Sequence, residues 1–296
     1  MIFADAFTAA TARHGPLCVG IDPHPGRVPA LFGGDTPEGL GEWGQALVEI
    51  AAGRAGIVKP QAGLFERHGP AGMEALQTVT RAARDAGLLV IIDAKRGDIG
   101  STAEGYAAAY LGEDAPFPAH CITVNPYMGL DTLEPFVRRA ETTGSGLAVL
   151  ARTSNPGAAD FQALSVEGAP LYLRVAEALQ PLCERLASAS GWSNLMIVAG
   201  ATGPDEARAL RRALPTALFL VPGYGTQGAG AKDALAGFVP DGQSGTALAG
   251  GAVNASRSVT FPPGAEAATT RRDWAEAIAA AIDAAQADLT SAAATP

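Results

Sequence analysis

The stretch VIIDAKRGDIG, residues 90–100, places four charged side chains directly behind a run of valine and isoleucine. An apolar run of this length, followed by glycine, is typical of a buried strand. Charged groups are costly to bury unless they are paired, so these charges must either be compensated or act on a ligand. Asp93 and Lys95 are two residues apart, and on a strand this spacing directs both side chains to the same face.

Asp98 lies beyond the predicted end of this strand, so strand geometry alone does not join it to Asp93 and Lys95. Two interpretations of Asp98 stay open: it caps the following helix, or it reaches another site. Lys59 ends an earlier apolar run and supplies a second cation, which makes the set an alternating array of carboxylates and ammonium groups. A Mg²⁺ site is the alternative because aspartate suits that ion. The lysine between the aspartates, however, supplies the positive charge that a metal would bring.

Polar residues also follow other apolar runs along the chain. Asp22 ends the first run, Asn125 ends the fourth, residues 152–155 follow the fifth, and Arg257 follows the eighth. In barrels built from parallel strands, active sites lie at the carboxyl ends of the strands. The pattern therefore predicts one functional site to which several strands contribute.

Eight short apolar runs recur along the chain, and alanine-rich segments with helical spacing lie between most of them. Strands that alternate with helices run parallel and are joined by crossovers. Eight such strands predict a closed (β/α)₈ barrel, with an open doubly wound sheet as the alternative fold. The predicted strands are residues 17–22, 56–60, 88–95, 120–126, 147–152, 195–200, 217–223 and 248–256.

Residues 1–296 contain no obvious linker and are predicted to form a single barrel domain. A helix over about 2–13 precedes the barrel, and an alanine-rich helix over about 272–286 ends it. We expect the tail ADLTSAAATP to be frayed and its deletion to have little effect. The Gly/Pro-rich segment 154–170 is a candidate functional loop, and the glycine-rich segment 223–245 is a candidate lid.

The composition argues against several classes of partner. A net charge of −9 disfavours wholesale binding to nucleic acid or to an anionic membrane. The chain has neither a stretch of about 20 apolar residues nor the basic start and long apolar core of a signal peptide. Its three cysteines form no CxxC or Cys/His cluster, and two of them lie in apolar runs, which suits a reducing compartment. We expect a cytoplasmic protein.

The glycine-rich segments indicate a phosphorylated ligand. Backbone N–H groups in glycine loops and at helix starts bind anions, and phosphate sites in such barrels follow the seventh and eighth strands. Gln227 lies in PGYGTQGAG after the predicted seventh strand, and Arg257 lies in NASRS after the eighth. Arginine can hold a phosphate with two N–H groups. Glycines that serve only as turns are the alternative interpretation.

The segment IIDAKRGDIGSTA, residues 91–103, resembles the signature of orotidine 5'-phosphate decarboxylases: Asp-x-Lys-x-x-Asp followed by Ile-Gly-x-Thr. The segments GIDPHP, VKPQAGLFE, TVNPYMGLD, RTSNPG and VNASR agree with that family across most of the chain. Residues 228–230 read Gly-Ala-Gly where relatives often have a Gly-Gly pair. The whole pattern resembles the longer bacterial branch, type 2, of the family.

The resemblance implies a charged catalytic array. Lys95 would be the proton donor, and Asp93 and Lys59 would complete the array around it. Asp98 and Thr102 would reach into the site of a partner subunit, so the enzyme would be a homodimer with shared active sites.

The resemblance also implies a substrate and its contacts. Asp22 would hold the ribose, Ser154 would contact the pyrimidine, and Gln227 and Arg257 would hold the phosphate. The implied reaction converts orotidine 5'-phosphate to uridine 5'-phosphate and CO₂, the last step of de novo UMP synthesis. It would need no cofactor and no metal, because the ammonium group of Lys95 could stabilise and then protonate the carbanion.

Two other functions are alternatives to the decarboxylase. A sugar-phosphate enzyme of the same barrel group, such as a hexulose-phosphate synthase, carries a similar Asp-x-Lys-x-x-Asp motif but uses Mg²⁺, so EDTA would distinguish it. A non-catalytic phosphate-binding barrel would bind UMP and turn nothing over. The resemblance assigns no role to Arg96 or Tyr224.

Overall fold

Eight parallel strands close into a barrel in the computed structural model, which describes residues 1–225, 228–241 and 248–294. Each strand pairs with its neighbours in the chain, and the last pairs with the first, so the predicted (β/α)₈ barrel is confirmed. The alternative of an open sheet is wrong. The strands are β1 (Leu17–Ile21), β2 (Ile57–Pro60), β3 (Leu89–Arg96), β4 (Cys121–Val124), β5 (Gly146–Arg152), β6 (Leu195–Ala199), β7 (Leu218–Val221) and β8 (Gly251–Ala255).

Helices cover the outside of the barrel, and two of them begin at a threonine whose side chain caps the first turn. The Thr36 side chain accepts a hydrogen bond from the N–H of Gly39, and Thr270 does the same for Asp273. The helices are α1 (Phe3–His14), α2 (Pro37–Ala51), α3 (Ala62–Glu66), α4 (Gly69–Asp85), α5 (Gly100–Tyr110), α6 (Glu134–Thr143), α7 (Leu171–Arg185), α8 (Pro204–Ala213), α9 (Ala231–Ala234), α10 (Arg257–Thr260), α11 (Pro263–Glu266) and α12 (Arg271–Ala293).

Short 3₁₀ turns and two-stranded ribbons lie in the loops between these strands and helices. Three 3₁₀ turns occupy Ala30–Phe32, Leu130–Thr132 and Pro156–Asp160. The loop after β5 also contains an antiparallel ribbon, in which Ser165–Val166 pairs with Ala169–Pro170. A second ribbon, before β8, pairs Val239–Pro240 with Leu248–Ala249.

The barrel interior is filled by side chains from the strands. β1, β2, β4, β6 and β7 are buried at every residue, which explains why they appear in the sequence as continuous apolar runs. Cys18 and Cys121, the two cysteines that lie in apolar runs of the sequence, belong to this interior. Phe3 and Phe7 of α1 pack against the same cluster and close the amino end of the barrel. The opposite, carboxyl end is left for the site.

No helix within the described ranges is both long enough and apolar enough to cross a membrane.

The C-terminal helix is longer than predicted. α12 continues to Ala293, whereas the sequence predicted a helix over 272–286 and a frayed tail. Leu289 is fully buried and extends an apolar stripe through Ile282 and Ala285, which lie on the same helical face. The expectation of a frayed tail is therefore wrong up to Ala293, because this packing holds the last turns in place.

Replacing Leu289 with alanine tests whether the last turns of α12 are part of the core. We expect the substitution to lower the free energy of unfolding by about 2–5 kcal/mol, because it removes a fully buried side chain and leaves a cavity. Urea denaturation followed by circular dichroism measures the change. Thr290→Ala, at the exposed neighbouring position, should change it by less than about 0.5 kcal/mol. Equal effects of the two substitutions would show that the tail does not contribute to stability.

Candidate active site

A cavity of about 430 Å³ opens at the carboxyl ends of the strands. All eight strands, or the loops that follow them, contribute to its lining. Asp98 and Thr102 do not line it, and Gln227 lies outside the described residues. The predicted site residues that do line the cavity are Asp22, Lys59, Asp93, Lys95, Ser154 and Arg257.

The carboxylate of Asp93 lies between two ammonium groups. Lys59 Nζ is 3.0 Å from Asp93 Oδ2, and Lys95 Nζ is 2.5 Å from Asp93 Oδ1. On the far side of Lys59, Asp22 Oδ1 is 3.8 Å from Nζ. Asp22, Lys59 and Asp93 are nearly buried, whereas the side chain of Lys95 is 47% exposed at the cavity. The four residues thus form a chain of alternating charges that ends in an accessible ammonium group.

Within this row of four charged residues, attraction between opposite charges shifts the pKa values more than burial does. Burial raises the pKa of Asp93, but the ammonium groups of Lys59 and Lys95 lower it by more, so the pKa lies well below its usual value. Burial lowers the pKa of Lys59, but Asp22 and Asp93 raise it by more, so the pKa lies above its usual value. Asp93 and Lys59 therefore both stay ionised at neutral pH.

Two uncharged side chains complete the environment of Asp93, and neither was predicted from the sequence. Thr123 Oγ1 donates to Asp93 Oδ1 at 2.9 Å and accepts from the Lys95 N–H at 2.9 Å. Gln61 Nε2 donates to Asp93 Oδ2 at 3.0 Å. Signals for both exist: Thr123 is the polar residue in the buried strand CITV, and Gln61 follows Lys59 at the two-residue spacing of a strand face.

Asp22 is held by the residue that follows the neighbouring strand β8. Ser256 Oγ donates to Asp22 Oδ2 at 2.6 Å. The approach of the two segments requires glycine at position 20, because a Cβ on Gly20 would lie 2.7 Å from Ser256 Cβ. Ser256 was also missed in the sequence, since a serine after a strand gives no specific signal.

The end of β3 is irregular at Lys95. This residue has φ of +48°, in the left-handed region that residues other than glycine rarely adopt. The register against β4 shifts between Ile92 and Arg96, which marks a bulge. Asp93 and Lys95 do meet in the cavity, as predicted, but simple strand alternation is not the full reason. The bulge places the ammonium group at the carboxylate.

Asp98 and Thr102 do not line the cavity of their own chain. Asp98 Oδ1 accepts a hydrogen bond from the Ile99 N–H at 2.8 Å, and α5 has no side-chain cap, so the capping interpretation of Asp98 is wrong. Thr102 lies exposed on α5, one turn further along the chain. Both residues are thus outside the cluster that the other predicted residues form.

The cavity lining also includes two further residues that were predicted to bind the substrate. Ser154 lies after β5, and Arg257 is the first residue of α10 after β8. Gln227 lies outside the described residues, as does part of the candidate lid 223–245. Tyr224, which follows β7, also lines the cavity, and its hydroxyl donates to Asp288 Oδ2 of α12 at 2.7 Å.

In the part of the chain that the structure describes, no three His, Cys, Asp or Glu side chains are grouped so that they could hold a metal ion. Lys59 and Lys95 already contact the two carboxylate oxygens of Asp93. Asp93 could therefore bind a metal cation only by losing one of these contacts.

The chain is similar to known proteins over most of its length. The model of the orotidine 5'-phosphate decarboxylase / HUMPS family matches residues 15–271. The orotidine 5'-phosphate decarboxylase of Rhodopirellula baltica is 39% identical over 297 residues, covering 95% of this chain and 96% of that protein. The enzyme of the same name from Haloarcula marismortui is 40% identical over 263 residues, covering 88% and 87% of the two chains.

Solved structures show the same likeness. The OMP decarboxylase of Leishmania donovani superposes with a TM-score of 0.73 at 34% identity, covering 97% of this chain and 99% of that chain. The UMP synthase of Leishmania donovani gives a TM-score of 0.75 at 36% identity, covering 97% of this chain but 57% of that longer one.

Replacing Thr123 with valine tests whether its hydroxyl supports the charged array. The substitution keeps the shape of the side chain but removes the donor to Asp93 and the acceptor for the Lys95 N–H. We expect it to lower the free energy of unfolding by about 1–3 kcal/mol, measured by urea denaturation. Thr80→Val is the matched control, because Thr80 is equally buried but donates only to the Leu76 carbonyl of its own helix. A cost for Thr123→Val no greater than that of the control would contradict this role.

Proposed function

The chain belongs to the orotidine 5'-phosphate decarboxylase / HUMPS family, and from this premise we propose that it converts orotidine 5'-phosphate to uridine 5'-phosphate and CO₂ in pyrimidine biosynthesis. The whole chain would act as one barrel domain. The observation that carries the proposal is the accessible ammonium group of Lys95, fixed by the buried carboxylate of Asp93 at the cavity. This arrangement suits a reaction that develops negative charge on a bound ligand.

The cavity lining supports one orientation of the substrate. Arg257, at the start of α10, takes the phosphate. Gln227, which lies outside the described residues, keeps its phosphate role only as what the family resemblance implies. Asp22 accepts hydrogen bonds from the ribose, and Ser154 contacts the pyrimidine. The carboxylate on ring carbon six then faces Asp93.

Lys95 carries the chemical step. The bond between ring carbon six and the carboxylate breaks, CO₂ leaves, and the electron pair stays on carbon six, where no adjacent carbonyl delocalises it. The Lys95 ammonium stabilises this charge and gives one proton to carbon six, which yields UMP. The Lys95 amine recovers its proton from water. No cofactor is needed as an electron sink, because the fixed ammonium replaces it.

Asp93 contributes in two ways. It holds Lys95 in place before the substrate arrives, so the site needs little reorganisation during the reaction. It also faces the substrate carboxylate, and two like charges about 4 Å apart repel by roughly 4 kcal/mol at an effective dielectric constant of 20. This repulsion disappears when neutral CO₂ leaves. Preorganised electrostatics is the larger contribution.

A Mg²⁺-dependent sugar-phosphate enzyme is the second candidate, since the matched family model includes such enzymes in its name. The contacts of Asp93 favour the decarboxylase. Lys59 and Lys95 already neutralise the carboxylate, and an added divalent cation would be repelled by both ammonium groups.

We propose a homodimer in which Asp98 and Thr102 enter the cavity of the partner. Both residues lie outside their own cavity, next to loops that expose large apolar side chains. The loops after β3 and β4 are adjacent, because a Cβ on Gly97 would lie 3.5 Å from Met128 Cε. A second copy would cover this surface. The exposed apolar side chains of this surface are Ile99, Tyr127, Met128 and Leu130.

We also propose a cytoplasmic location, because the free cysteines Cys18, Cys121 and Cys183 suit a reducing compartment. The net charge of −9 favours a small-molecule substrate over nucleic acid or a membrane surface as the partner.

The experiment that tests the proposed function mixes the protein with orotidine 5'-phosphate in excess EDTA. The ultraviolet absorbance of orotate should change to that of uracil, with release of one CO₂ per substrate. Turnover only after Mg²⁺ is added would favour the sugar-phosphate candidate. Binding of UMP without any turnover, by folded protein, would indicate a non-catalytic phosphate-binding barrel.

Arg257→Ala should lower kcat/KM for orotidine 5'-phosphate by about 100-fold or more, although Arg257 touches no reacting atom. Two charge-assisted hydrogen bonds to phosphate are worth about 3 kcal/mol, and each 1.4 kcal/mol is a factor of ten. Steady-state kinetics measures the change. Arg27→Ala is the control, because Arg27 pairs with Glu266 beside the cavity without lining it, and kcat/KM should stay near wild type. A wild-type value for Arg257→Ala would remove this residue from the phosphate site.

Mixing two inactive variants tests the shared site. In a hybrid of Lys95→Ala and Asp98→Ala subunits, one site carries both defects and the other is intact. Random mixing makes half of the dimers hybrid, so about a quarter of the wild-type activity should return. Each variant mixed with itself is the control, and differently tagged subunits verify exchange. No recovery after verified exchange would contradict shared sites.

A further inference from the structure

Arg96 is the charged residue of the segment DAKRGD that has no part in the proposed reaction. It directly follows Lys95, and its side chain leaves the strand away from the cavity, which it does not line. The side chain is only 22% exposed. A guanidinium buried to this extent next to a proposed proton donor calls for a physical role.

The guanidinium of Arg96 is fixed by contacts from two helices. It forms an ion pair with Glu66 at the end of α3, and Nη2 lies 3.2 Å from the hydroxyl of Tyr110 at the end of α5. Its Cζ lies 5.4 Å from the ring centre of Tyr106 and 5.8 Å from that of Tyr110. The Arg96 side chain therefore ties the end of β3 to both α3 and α5.

The backbone beside this anchor is the irregular part of β3. Lys95 has φ of +48°, and the bulge ends at Arg96. The main chain there is held to β4 by two hydrogen bonds: the Lys95 N–H donates to Thr123 Oγ1, and the Asn125 N–H donates to the Arg96 carbonyl. A left-handed conformation persists in a residue with a side chain only when its surroundings impose it.

We propose that Arg96 is a positioning residue for Lys95: the contacts of its guanidinium with Glu66, Tyr106 and Tyr110 hold the bulge that directs the Lys95 ammonium to Asp93. This inference rests on the proposed function, because Lys95 matters only if it is the proton donor. The same anchor fixes α5, whose first turn carries Thr102. In the proposed dimer, one cluster outside the barrel wall therefore positions Lys95 in the site of its own chain and Thr102 in the site of the partner.

The kinetic test uses Arg96→Met, which keeps the aliphatic stem of the side chain and removes the guanidinium. We expect kcat for orotidine 5'-phosphate to fall by about 10²-fold, because displacing a catalytic group by about 1 Å has that effect. KM and the Kd of UMP should stay within about three-fold, because the proposed ribose and phosphate contacts lie on other strands. Arg96→Lys, which can still pair with Glu66, should recover part of kcat.

Three further variants distinguish a positioning role of Arg96 from a general effect on stability. Glu66→Gln should lower kcat in the same direction, and the double variant Glu66→Gln/Arg96→Met should be no worse than Arg96→Met alone, because both act through one contact. Arg139→Met is the matched control: Arg139 is similarly exposed and pairs with Asp114, away from the site. It should leave kcat and KM at wild-type values.

A crystal structure of Arg96→Met gives a readout that does not depend on activity. The inference predicts that Lys95 leaves its left-handed conformation or that its ammonium moves away from Asp93. An unchanged Lys95 in that structure, or an unchanged kcat for Arg96→Met, would overturn it. A wild-type protein that does not decarboxylate orotidine 5'-phosphate would instead reject the proposed function, and the position of Lys95 in the variant would still decide whether Arg96 holds the bulge.

Discussion

The site depends on one nearly buried carboxylate that pairs with two ammonium groups. Asp93 lies 3.0 Å from Lys59 Nζ and 2.5 Å from Lys95 Nζ, and Lys59 is only 3% exposed. Burying Lys59 or Asp93 alone would be unfavourable, so each of these two charges is stable only because it is paired. The consequence is a site whose charges are ionised and in position before a ligand binds. That property is what stabilisation of a developing carbanion requires.

The barrel makes this arrangement possible because the last residues of neighbouring strands lie side by side at its carboxyl end. The ladder pairs Gly20 with Lys59, and an isolated bridge pairs Gln61 with Asp93, so consecutive strands present their polar groups side by side. A shift of one residue in either pairing would direct these charges into the helical layer. The apolar strands are buried on both faces, which makes such a shift costly and keeps the array in register.

Much of the fold and the centre of the site could be predicted from the sequence. The eight strands follow from eight apolar runs that alternate with helical segments, and Asp93 and Lys95 stand out as charges behind such a run. Other features depend on contacts between distant segments. The left-handed backbone of Lys95 lies at a bulge against β4, and nothing in DAKRGD indicates it.

The extent of α12 could not be predicted because its last turns are polar and alanine-rich, and they are held by contacts with distant segments, such as the packing of Leu289 and the hydrogen bond from Tyr224 to Asp288. Thr123 and Gln61 carry weak signals in the sequence, since one polar residue near a strand has many possible partners. Gln227 stays a prediction, because it lies outside the described residues.

The most direct test of this account replaces Asp93 with asparagine, which keeps the shape of the side chain and removes its charge. The measurements are kcat/KM for orotidine 5'-phosphate and the free energy of unfolding at pH 7. The account predicts that kcat/KM falls by about 10³-fold or more, and that stability falls by about 3–5 kcal/mol because buried Lys59 loses its closest counter-charge. Near-wild-type activity and stability in the asparagine variant would contradict the claim that this carboxylate organises the site.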